Sequence, residues 1–463
     1  MTDNKFDLFA KKMRDADIPD VASQIFEYYY LQLLAGNTGF IRTADIEPVV
    51  SPPTTDNLPD TLKAIGEEAL SKTVTIKLNG GLGTSMGLDT AKSLLSVKEN
   101  RSFLEVIAQQ SIDINSHLLL MNSFSTREDS LALLKEKYPA LLEKSIGIDF
   151  LQHKVPKVMQ EGFMPATWAK NPALEWCPPG HGNIYPALVT SNMLDQLLDA
   201  GFKYAFISNS DNLGAVIDAT ILGYFVENNV PFLMEVTKRT AMDRKGGFPV
   251  HHKSGKLVLW ETAQCHPDEM DEFQDITRFA HASTNNIWIN LAQLKVEMER
   301  KNNNLQLTMI RNEKTVDPQD GSSPKVYQLE TAMGAAISTF AGSEIIEVPR
   351  SRFSPVKSTN ELLAVRSNAY TLTEDFRIVL NPERKLPPPV IFLDSQYYKM
   401  YYDLDARFPA GAPSLIDCQK LEVEGDVLFG ENVTLIGDVK VINTTGKQVR
   451  LENITLKNET WRA

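Results

Sequence analysis

Short apolar segments rich in β-formers alternate with helical stretches from Val74 onward. This order of elements is typical of a largely parallel sheet with helices on both faces. Ligands of such sheets bind outside the carboxyl ends of the strands. The pattern therefore predicts an α/β fold with a candidate site on three loops: Asn79–Gly87, Asn122–Thr126 and Asn209–Gly214.

The two ends of the chain follow other patterns. Apolar residues at near-helical spacing predict helix over residues 1–45, and a second, short helix is expected around 62–70. The proline-rich stretch NPERKLPPPV at 381–390 indicates a stiff connector. Beyond residue 413 apolar residues alternate, and Val427, Val433 and Val439 recur every six residues, which favours a β-helix. We expect a helical segment 1–70, an α/β domain 71–380, a linker 381–412 and a β-helix 413–463.

Composition excludes several classes of function. With a formal net charge of −12, the 463-residue chain has no excess of cations to neutralise a nucleic acid. Three widely spaced cysteines predict neither a disulfide framework nor a metal-ligand pattern. We find no signal peptide and no apolar run of about 18 residues, so we expect a cytoplasmic protein that neither crosses nor binds a membrane.

The segment KLNGGLGTSMGLDTAKSLL, residues 77–95, is the strongest local signal. An apolar strand leads into Gly80, Gly81, Gly83 and Gly87, and we expect a helix directly after them. Glycines let the backbone approach a ligand, and backbone N–H groups at a helix start bind anions. Lys92 on that helix would add a point charge for phosphate. The glycine spacing matches neither the dinucleotide fingerprint nor the P-loop.

Further motifs follow in a defined order, and together with the glycine loop they resemble the UDP-glucose pyrophosphorylases of eukaryotic type. The motifs are EWCPPGHGNIY (175–185), FISNSDNLGA (206–215), RKGGFPV (244–250), TNNIWI (284–289), QLETAMGAAI (328–337) and VPRSRFSPVKST (348–359). The resemblance implies a Rossmann-like nucleotidyltransferase domain with a mixed, mostly parallel sheet and a C-terminal left-handed β-helix. It also implies that UTP and glucose 1-phosphate are converted to UDP-glucose and pyrophosphate.

The implied chemistry is attack by the sugar phosphate on the α-phosphorus of UTP. Because all participants are anions, we expect catalysis by positioning and charge neutralisation. The resemblance implies that Asp211 binds Mg²⁺, that Lys92 neutralises the UTP phosphates, and that Lys357 binds the reacting phosphates. We interpret Arg350 and Arg352, close to Lys357 in sequence, as structural residues or as a source of positive potential.

The resemblance also implies which residues bind the two substrates. For the nucleotide these are Leu78, Asn79, Gly80, Gly81, Lys92, Gln152 and Gly180, with the Gln152 amide suited to a uracil edge. For the sugar phosphate they are His181, Asn209, Ser210, Gly247, Glu261, Asn285 and Lys357. We expect His181 to bind substrate, because the reaction needs no general base.

Alternative functions differ in what they require. A broader UDP-sugar pyrophosphorylase would use the same site with galactose or N-acetylhexosamine 1-phosphates, since discrimination by a single hydroxyl depends on a few polar contacts. A hexapeptide-repeat acyltransferase is disfavoured because no histidine follows His281. A non-catalytic nucleotide-sugar sensor would not need Lys92, Asp211 and Lys357 together. Exposed strand ends of a β-helix would also permit a homo-oligomer.

Overall fold

The computed structural model describes residues 3–88, 90–240 and 243–463. Both the N-terminal helical segment and the glycine loop therefore include residues outside the described ranges. Within these ranges a seven-stranded sheet forms the centre. In chain order its strands are β1 (Thr73–Asn79), β2 (His117–Asn122), β3 (Asp149–Leu151), β4 (Tyr204–Asn209), β5 (Phe232–Lys238), β6 (His281–Asn290) and β7 (Glu344–Glu347). Their spatial order is β7-β5-β6-β4-β1-β2-β3.

The central sheet is mixed and mostly parallel, as predicted. Strand β6 runs antiparallel to both of its neighbours, and the other neighbouring strands run parallel. Asn79 is level with Asn122 across β1 and β2, and Asn209 is level with Leu78. The loops after β1, β2 and β4 therefore leave the same edge of the sheet.

Helices cover both faces of this sheet because its strands are apolar on both sides. Along β4, Ala205 and Ile207 pack into one hydrophobic cluster, and Phe206 packs into another on the opposite face. Counting those that pack elsewhere, the helices of the described residues are Asp3–Arg14, Asp20–Leu34, Thr61–Ala69, Phe103–Asp113, Arg127–Lys137, Ile184–Thr190, Met193–Asp199, Ala219–Glu227, Met270–Phe273, Leu291–Arg300, Thr359–Arg366, Ser395–Tyr398 and Tyr401–Arg407.

The N-terminal segment is less helical than predicted. Its two helices end at Leu34, and residues 35–45 contain only a short 3₁₀ turn, Thr43–Asp45. The turn leads directly into the strand Ile46–Pro48, which pairs with Gly247–His252. The apolar spacing predicted too long a helix, because pairing of this strand with the sheet requires an extended backbone that overrides the local preference for helix.

Several small sheets surround the centre. Each pairing among them is antiparallel. They comprise Ile46–Pro48 with Gly247–His252 and Leu257–Glu261; Val158–Met159 with Met309–Thr315 and Lys325–Thr331; and the pairs Val155–Pro156 with Trp176–Cys177, Ser96–Lys98 with Arg101–Ser102, and Tyr370–Leu372 with Ile378–Leu380.

The glycine loop does not lead directly into a helix, so that prediction was wrong. Lys92–Leu94 is a single 3₁₀ turn, and a short hairpin separates it from the next helix. Positive φ angles at Glu99 and Asn100 reverse the chain in this hairpin. The helix begins only at Phe103, where Ser102 and Glu105 form a reciprocal capping box. A helix N-terminus therefore does not supply the anion-binding groups at Lys92.

The C-terminal region contains only parallel strand pairings. Its strands are Val390–Leu393, Cys418–Glu424, Val427–Phe429, Val433–Ile442, Val449–Leu451, Ile454–Lys457 and Thr460–Arg462. Val433–Ile442 pairs with Ile454–Lys457 along its first half and with Thr460–Arg462 along its second half. Gly437, with φ of 68°, lies between the halves. The strand thus contributes to two successive parallel ladders.

Residues 381–412, predicted as a linker, contain a strand and two helices. Ile391, Tyr398 and Leu404 of this segment are buried in a hydrophobic cluster with the C-terminal strands. Met86 and Leu88 of the glycine loop belong to the same cluster. The candidate site is therefore packed directly against the C-terminal region. Among the described residues, no helix is both long and apolar enough to cross a membrane.

Candidate active site

The glycine loop turns back on itself and returns Lys92 to the end of β1. The Lys92 backbone N–H donates to the Gly81 carbonyl oxygen at 3.1 Å. Leu82 and Ala91 form an antiparallel bridge between the two arms of the loop. The backbone thus forms a narrow hairpin-like loop, with Lys92 beside the glycines.

Lys92 and Asp211 meet directly at this edge of the sheet. The Lys92 Nζ atom lies 2.6 Å from the Asp211 Oδ2 atom. Their side chains are 17% and 19% exposed, so the pair remains accessible to a ligand. Asp211 lies just beyond the carboxyl end of β4, as the topology of parallel sheets predicts.

Lys357 is carried to the site by backbone pairing with the Asp211 loop. The Val356 N–H donates to the Asp211 carbonyl oxygen at 3.1 Å, and Asn212 forms an antiparallel bridge with Pro355. The Lys357 side chain is exposed. The structure therefore brings Lys92, Asp211 and Lys357 to one edge, although they are far apart in sequence.

Glu261 lies within electrostatic reach of Lys357. Desolvation raises the pKa of the Glu261 carboxyl to about 7, and the Lys357 charge opposes this shift. Glu261 pairs with Gly247 across two antiparallel strands. A Cβ atom on Gly247 would lie 2.5 Å from the Glu261 Oε1 atom, so glycine leaves space for this carboxyl.

Gln152, Gly80 and Gly180 form a second group at the same edge. The Gln152 Nε2 atom donates to the Gly180 carbonyl oxygen at 3.0 Å. A Cβ atom on Gly80 would lie 2.5 Å from the Gln152 Oε1 atom. Gly180 has φ of 79°, and a Cβ there would lie 2.4 Å from the Thr331 carbonyl oxygen. Glycine at 180 is required by both conformation and space.

His181 is held as a neutral ring. Its Nδ1 atom accepts a hydrogen bond from the Met333 N–H at 3.0 Å, so the proton resides on Nε2. Burial lowers the pKa of His181 to about 4. At neutral pH the side chain can donate from Nε2 but does not carry charge, which suits binding to a polar substrate group.

The remaining predicted residues occupy distinct positions. The Asn79 side chain is buried and donates to Asn122 Oδ1 at 2.7 Å and Ser130 Oγ at 2.8 Å. Ser210 is also buried, and its N–H donates to the Leu78 carbonyl oxygen. Asn209 is half-buried at the end of β4.

Asn285 interrupts the regular geometry of β6. Its φ is 57°, in the left-handed region. The register between β5 and β6 shifts nearby, between Met234 and Val236. Irregularities of this kind often re-aim a side chain next to a functional site. Asn285 is partly exposed and lies in the strand adjacent to β4.

Sequence reasoning missed a buried polar network behind these loops. Glu235 and Lys77 lie within apolar strands and are both buried. Arg352 pairs with Glu235, whereas Lys77 Nζ donates to Ser208 Oγ and the Ala215 carbonyl oxygen. Burial lowers the pKa of Lys77 to about 7, with the Arg352 charge contributing. A single charged residue inside each apolar run (FLMEV, VTIKL) was the available signal.

The donor set limits the kind of metal this site can hold. No group of three or more His, Cys, Asp or Glu side chains able to hold a metal occurs within residues 3–88, 90–240 and 243–463. Asp211 therefore offers one carboxylate at the predicted position. A single accessible carboxylate fits a hard cation that takes its other oxygen ligands from water and phosphate.

Known proteins match this chain over most of its length. The family model for UTP–glucose-1-phosphate uridylyltransferase matches residues 23–436. The Solanum tuberosum UTP–glucose-1-phosphate uridylyltransferase is 42% identical over 395 residues, covering 83% of this chain and 80% of the potato protein. The Saccharomyces cerevisiae enzyme is 40% identical over 392 residues, covering 83% of this chain and 76% of the yeast protein.

Solved structures agree with the sequence relatives. A mutant UDP-glucose pyrophosphorylase from Leishmania major, in complex with UDP-glucose, matches with a TM-score of 0.92 and 41% identity over 99% of both chains. A Trypanosoma brucei UDP-glucose phosphorylase matches with a TM-score of 0.91 and 42% identity, covering 99% of this chain and 100% of that protein. On sequence and structure together, this chain belongs to the UTP–glucose-1-phosphate uridylyltransferase family.

Proposed function

We propose that the protein transfers the uridylyl group of UTP to glucose 1-phosphate, releasing pyrophosphate and forming UDP-glucose. The proposal is carried by the contact of Lys92 with Asp211 at the carboxyl edge of the central sheet and by the backbone pairing that places Lys357 next to the Asp211 loop. The relatives from Solanum tuberosum and Saccharomyces cerevisiae are named for this activity. Among the described residues, no feature of the site favours the broader-specificity alternative over glucose.

The chemistry joins two anions, so the residues act mainly through charge and position. A phosphate oxygen of glucose 1-phosphate bonds to the α-phosphorus of UTP, and the bond from that phosphorus to the bridging oxygen of pyrophosphate breaks. Lys92 neutralises the nucleotide phosphates, and Lys357 holds the reacting phosphates. Fixed cations of this kind stabilise charge that develops in the transition state.

Enzymes of this family use a divalent metal, and we propose Mg²⁺ bound through the Asp211 carboxylate. When bound there, the ion would supply further neutralisation of the phosphate charge. The Asp211 carboxylate pairs with Lys92 in this structure. A triphosphate would offer the Lys92 ammonium a partner of opposite charge, and a cation would offer one to the Asp211 carboxylate.

The other residues of the site bind and orient the substrates. Gln152, Gly180 and the backbone of Leu78, Asn79, Gly80 and Gly81 hold the uridine. The sugar phosphate is surrounded by His181, Asn209, Ser210, Gly247, Glu261 and Asn285. The hydrogen-bonded, neutral His181 ring and the left-handed Asn285 backbone support binding roles, because each holds its side chain in a defined place.

The finer architecture is also part of this proposal. We assign an N-terminal segment to residues 1–70, the catalytic domain to 71–380, a connecting segment to 381–412 and a left-handed β-helix to 413–463. The connecting segment is structured, since its strand and two helices pack with the C-terminal strands. The all-parallel pairings of the C-terminal strands support the β-helix. Its exposed ends provide a surface for a homo-oligomer, and three free, buried cysteines suit a cytoplasmic location.

The direct test measures pyrophosphate release from UTP and Mg²⁺ with glucose, galactose or N-acetylglucosamine 1-phosphate. We expect strong release with glucose 1-phosphate alone. Asp211→Ala should lower the rate by about 10²–10³-fold, since a centrally placed charge is lost. Asp60→Ala, which removes an exposed carboxylate, serves as the matched control and should retain the wild-type rate.

Each contrary outcome has a definite meaning. Equal rates with all three sugars would establish the broader UDP-sugar pyrophosphorylase instead. Absence of pyrophosphate with every sugar would reject the enzymatic function. If Asp211→Ala kept the full rate, Asp211 would not be the metal ligand.

A further inference from the structure

Behind the candidate site, Glu235 and Arg352 form an ion pair that is buried inside the sheet. Glu235 on β5 is 0% exposed. The Arg352 Nε and Nη2 atoms donate to its two carboxylate oxygens at 2.8 and 2.6 Å. Trp288 Nε1 and Asn286 Nδ2 each donate to the same carboxylate at 2.9 Å. The carboxylate is thus held in one orientation by a two-point contact and two further donors.

Arg352 also fixes the loop that carries Asp211. Its Nη2 atom donates to the Val216 carbonyl oxygen at 2.9 Å, where that loop ends. Its own carbonyl oxygen accepts from Asn212 Nδ2 at 3.0 Å. Asn212 is the residue next to Asp211, so one arginine contacts the loop both beside Asp211 and at its far end.

Asn212 closes the connection to the segment that carries Lys357. Its Oδ1 atom accepts from the Ser354 N–H at 3.0 Å. Its side chain is buried, and its Nδ2 atom also donates to Asn286 Oδ1 at 3.3 Å. Each polar atom of the amide is therefore used to join the Asp211 loop to the 352–357 segment or to β6.

We propose that Glu235, Arg352 and Asn212 form a positioning network that fixes the separation of Asp211 and Lys357 at the reacting phosphates. None of the three reaches the accessible pair of Lys92 and Asp211, so they act through the backbone of both loops. The proposal rests on the roles assigned above to Asp211 and Lys357. Its physical basis is that a small misplacement of catalytic groups is costly even when binding is retained.

Arg352→Lys provides the first test, because lysine keeps the charge and loses the two-point contact. We expect kcat per folded molecule to fall by about 10²-fold, while the KM values for UTP and glucose 1-phosphate change by less than about threefold. Loss of stability alone would lower the folded fraction and leave kcat per folded molecule unchanged. Folded protein is quantified by circular dichroism before each assay.

Arg384→Lys is the matched control. Arg384 is a similarly buried arginine that donates to the carbonyl oxygens of Leu415, Ile416 and Cys418, away from the candidate site. We expect its kcat to stay within about twofold of wild type, since it touches neither loop. An equal fall in kcat for both arginine variants would overturn the proposal.

A second variant covers the case in which Arg352→Lys does not fold. Glu235→Gln combined with Arg352→Met removes both charges of the pair, so neither is left buried without its partner, a change that cores often tolerate. It should show the same fall in kcat, because the link to Val216 is lost. Wild-type kcat in the folded double variant, or a raised KM with unchanged kcat, would overturn the network. Inactive wild-type protein would instead reject the proposed function.

Discussion

Two ion pairs lie close together in this protein and differ in nearly every physical respect. Lys92 and Asp211 are each about a fifth exposed and share one short contact. Glu235 and Arg352 are buried, share two contacts and have further hydrogen-bond partners. The first pair connects two loops that face the substrate side, and the second connects β5 to the segment behind them.

The difference shows how one site combines exchangeable and fixed charges. A partly exposed pair is weakly coupled because water competes for both partners, so a phosphate or cation can replace either one. A buried pair cannot exchange, since breaking it leaves a charge without water or partner. The buried pair therefore holds the geometry, and the exposed pair is available for chemistry.

The largest effect should come from breaking the buried pair. Glu235→Gln leaves the Arg352 charge without a carboxylate, and we expect the unfolding free energy to fall by about 3–5 kcal/mol. Urea denaturation measures this loss. Asp15→Asn, which breaks an exposed pair with Lys11, should change it by less than about 1 kcal/mol. Similar losses of unfolding free energy for both variants would contradict the contrast between the buried and the exposed pairs.

Breaking the exposed pair should affect the rate instead of the stability. We expect Lys92→Met to lower kcat by about 10²–10³-fold, because a phosphate-neutralising charge is removed. Its unfolding free energy should stay within about 1 kcal/mol of wild type. Pyrophosphate release and urea denaturation are measured together, with the exposed Lys135→Met as control. A stable variant with the full rate would show that Lys92 has no role in the reaction.

The unfolding free energy should also depend on pH through Lys77, which is buried near the Glu235–Arg352 pair. Burial lowers its pKa from 10.5 to about 7 in the folded protein. Between these values the unfolded chain binds the extra proton, so stability rises as pH rises. We expect wild type to gain about 2 kcal/mol relative to Lys77→Met between pH 7 and 9. A constant difference in unfolding free energy between the two proteins from pH 7 to 9 would exclude a depressed pKa for Lys77.

The smallest effect should be the direct coupling between Lys92 and Asp211. A double-mutant cycle with Lys92→Met and Asp211→Ala should give a coupling energy below about 1 kcal/mol in the ligand-free protein. Thermal or urea unfolding of the four proteins supplies the values. A coupling of several kcal/mol would mean that this pair is as fixed as the buried one.

The glycine loop shows where local patterns succeed and where they fail. The apolar strand and the glycines correctly predicted a loop at the carboxyl edge of the sheet. The helix expected at Lys92 was wrong, because residues 92–94 form one turn and a hairpin follows. Propensity did not reveal this, since the hairpin depends on two positive φ angles and on packing against the C-terminal region.

The sequence by itself determined the class of fold, the edge that carries the site and the family. These properties depend on apolar periodicity and on motifs that can be read from neighbouring residues. Only the tertiary structure decided that Lys92 meets Asp211, that Lys357 is carried by the loop paired with it, and that Glu235 binds Arg352. Such contacts join residues remote in sequence, and their geometry depends on how the whole sheet and its loops pack.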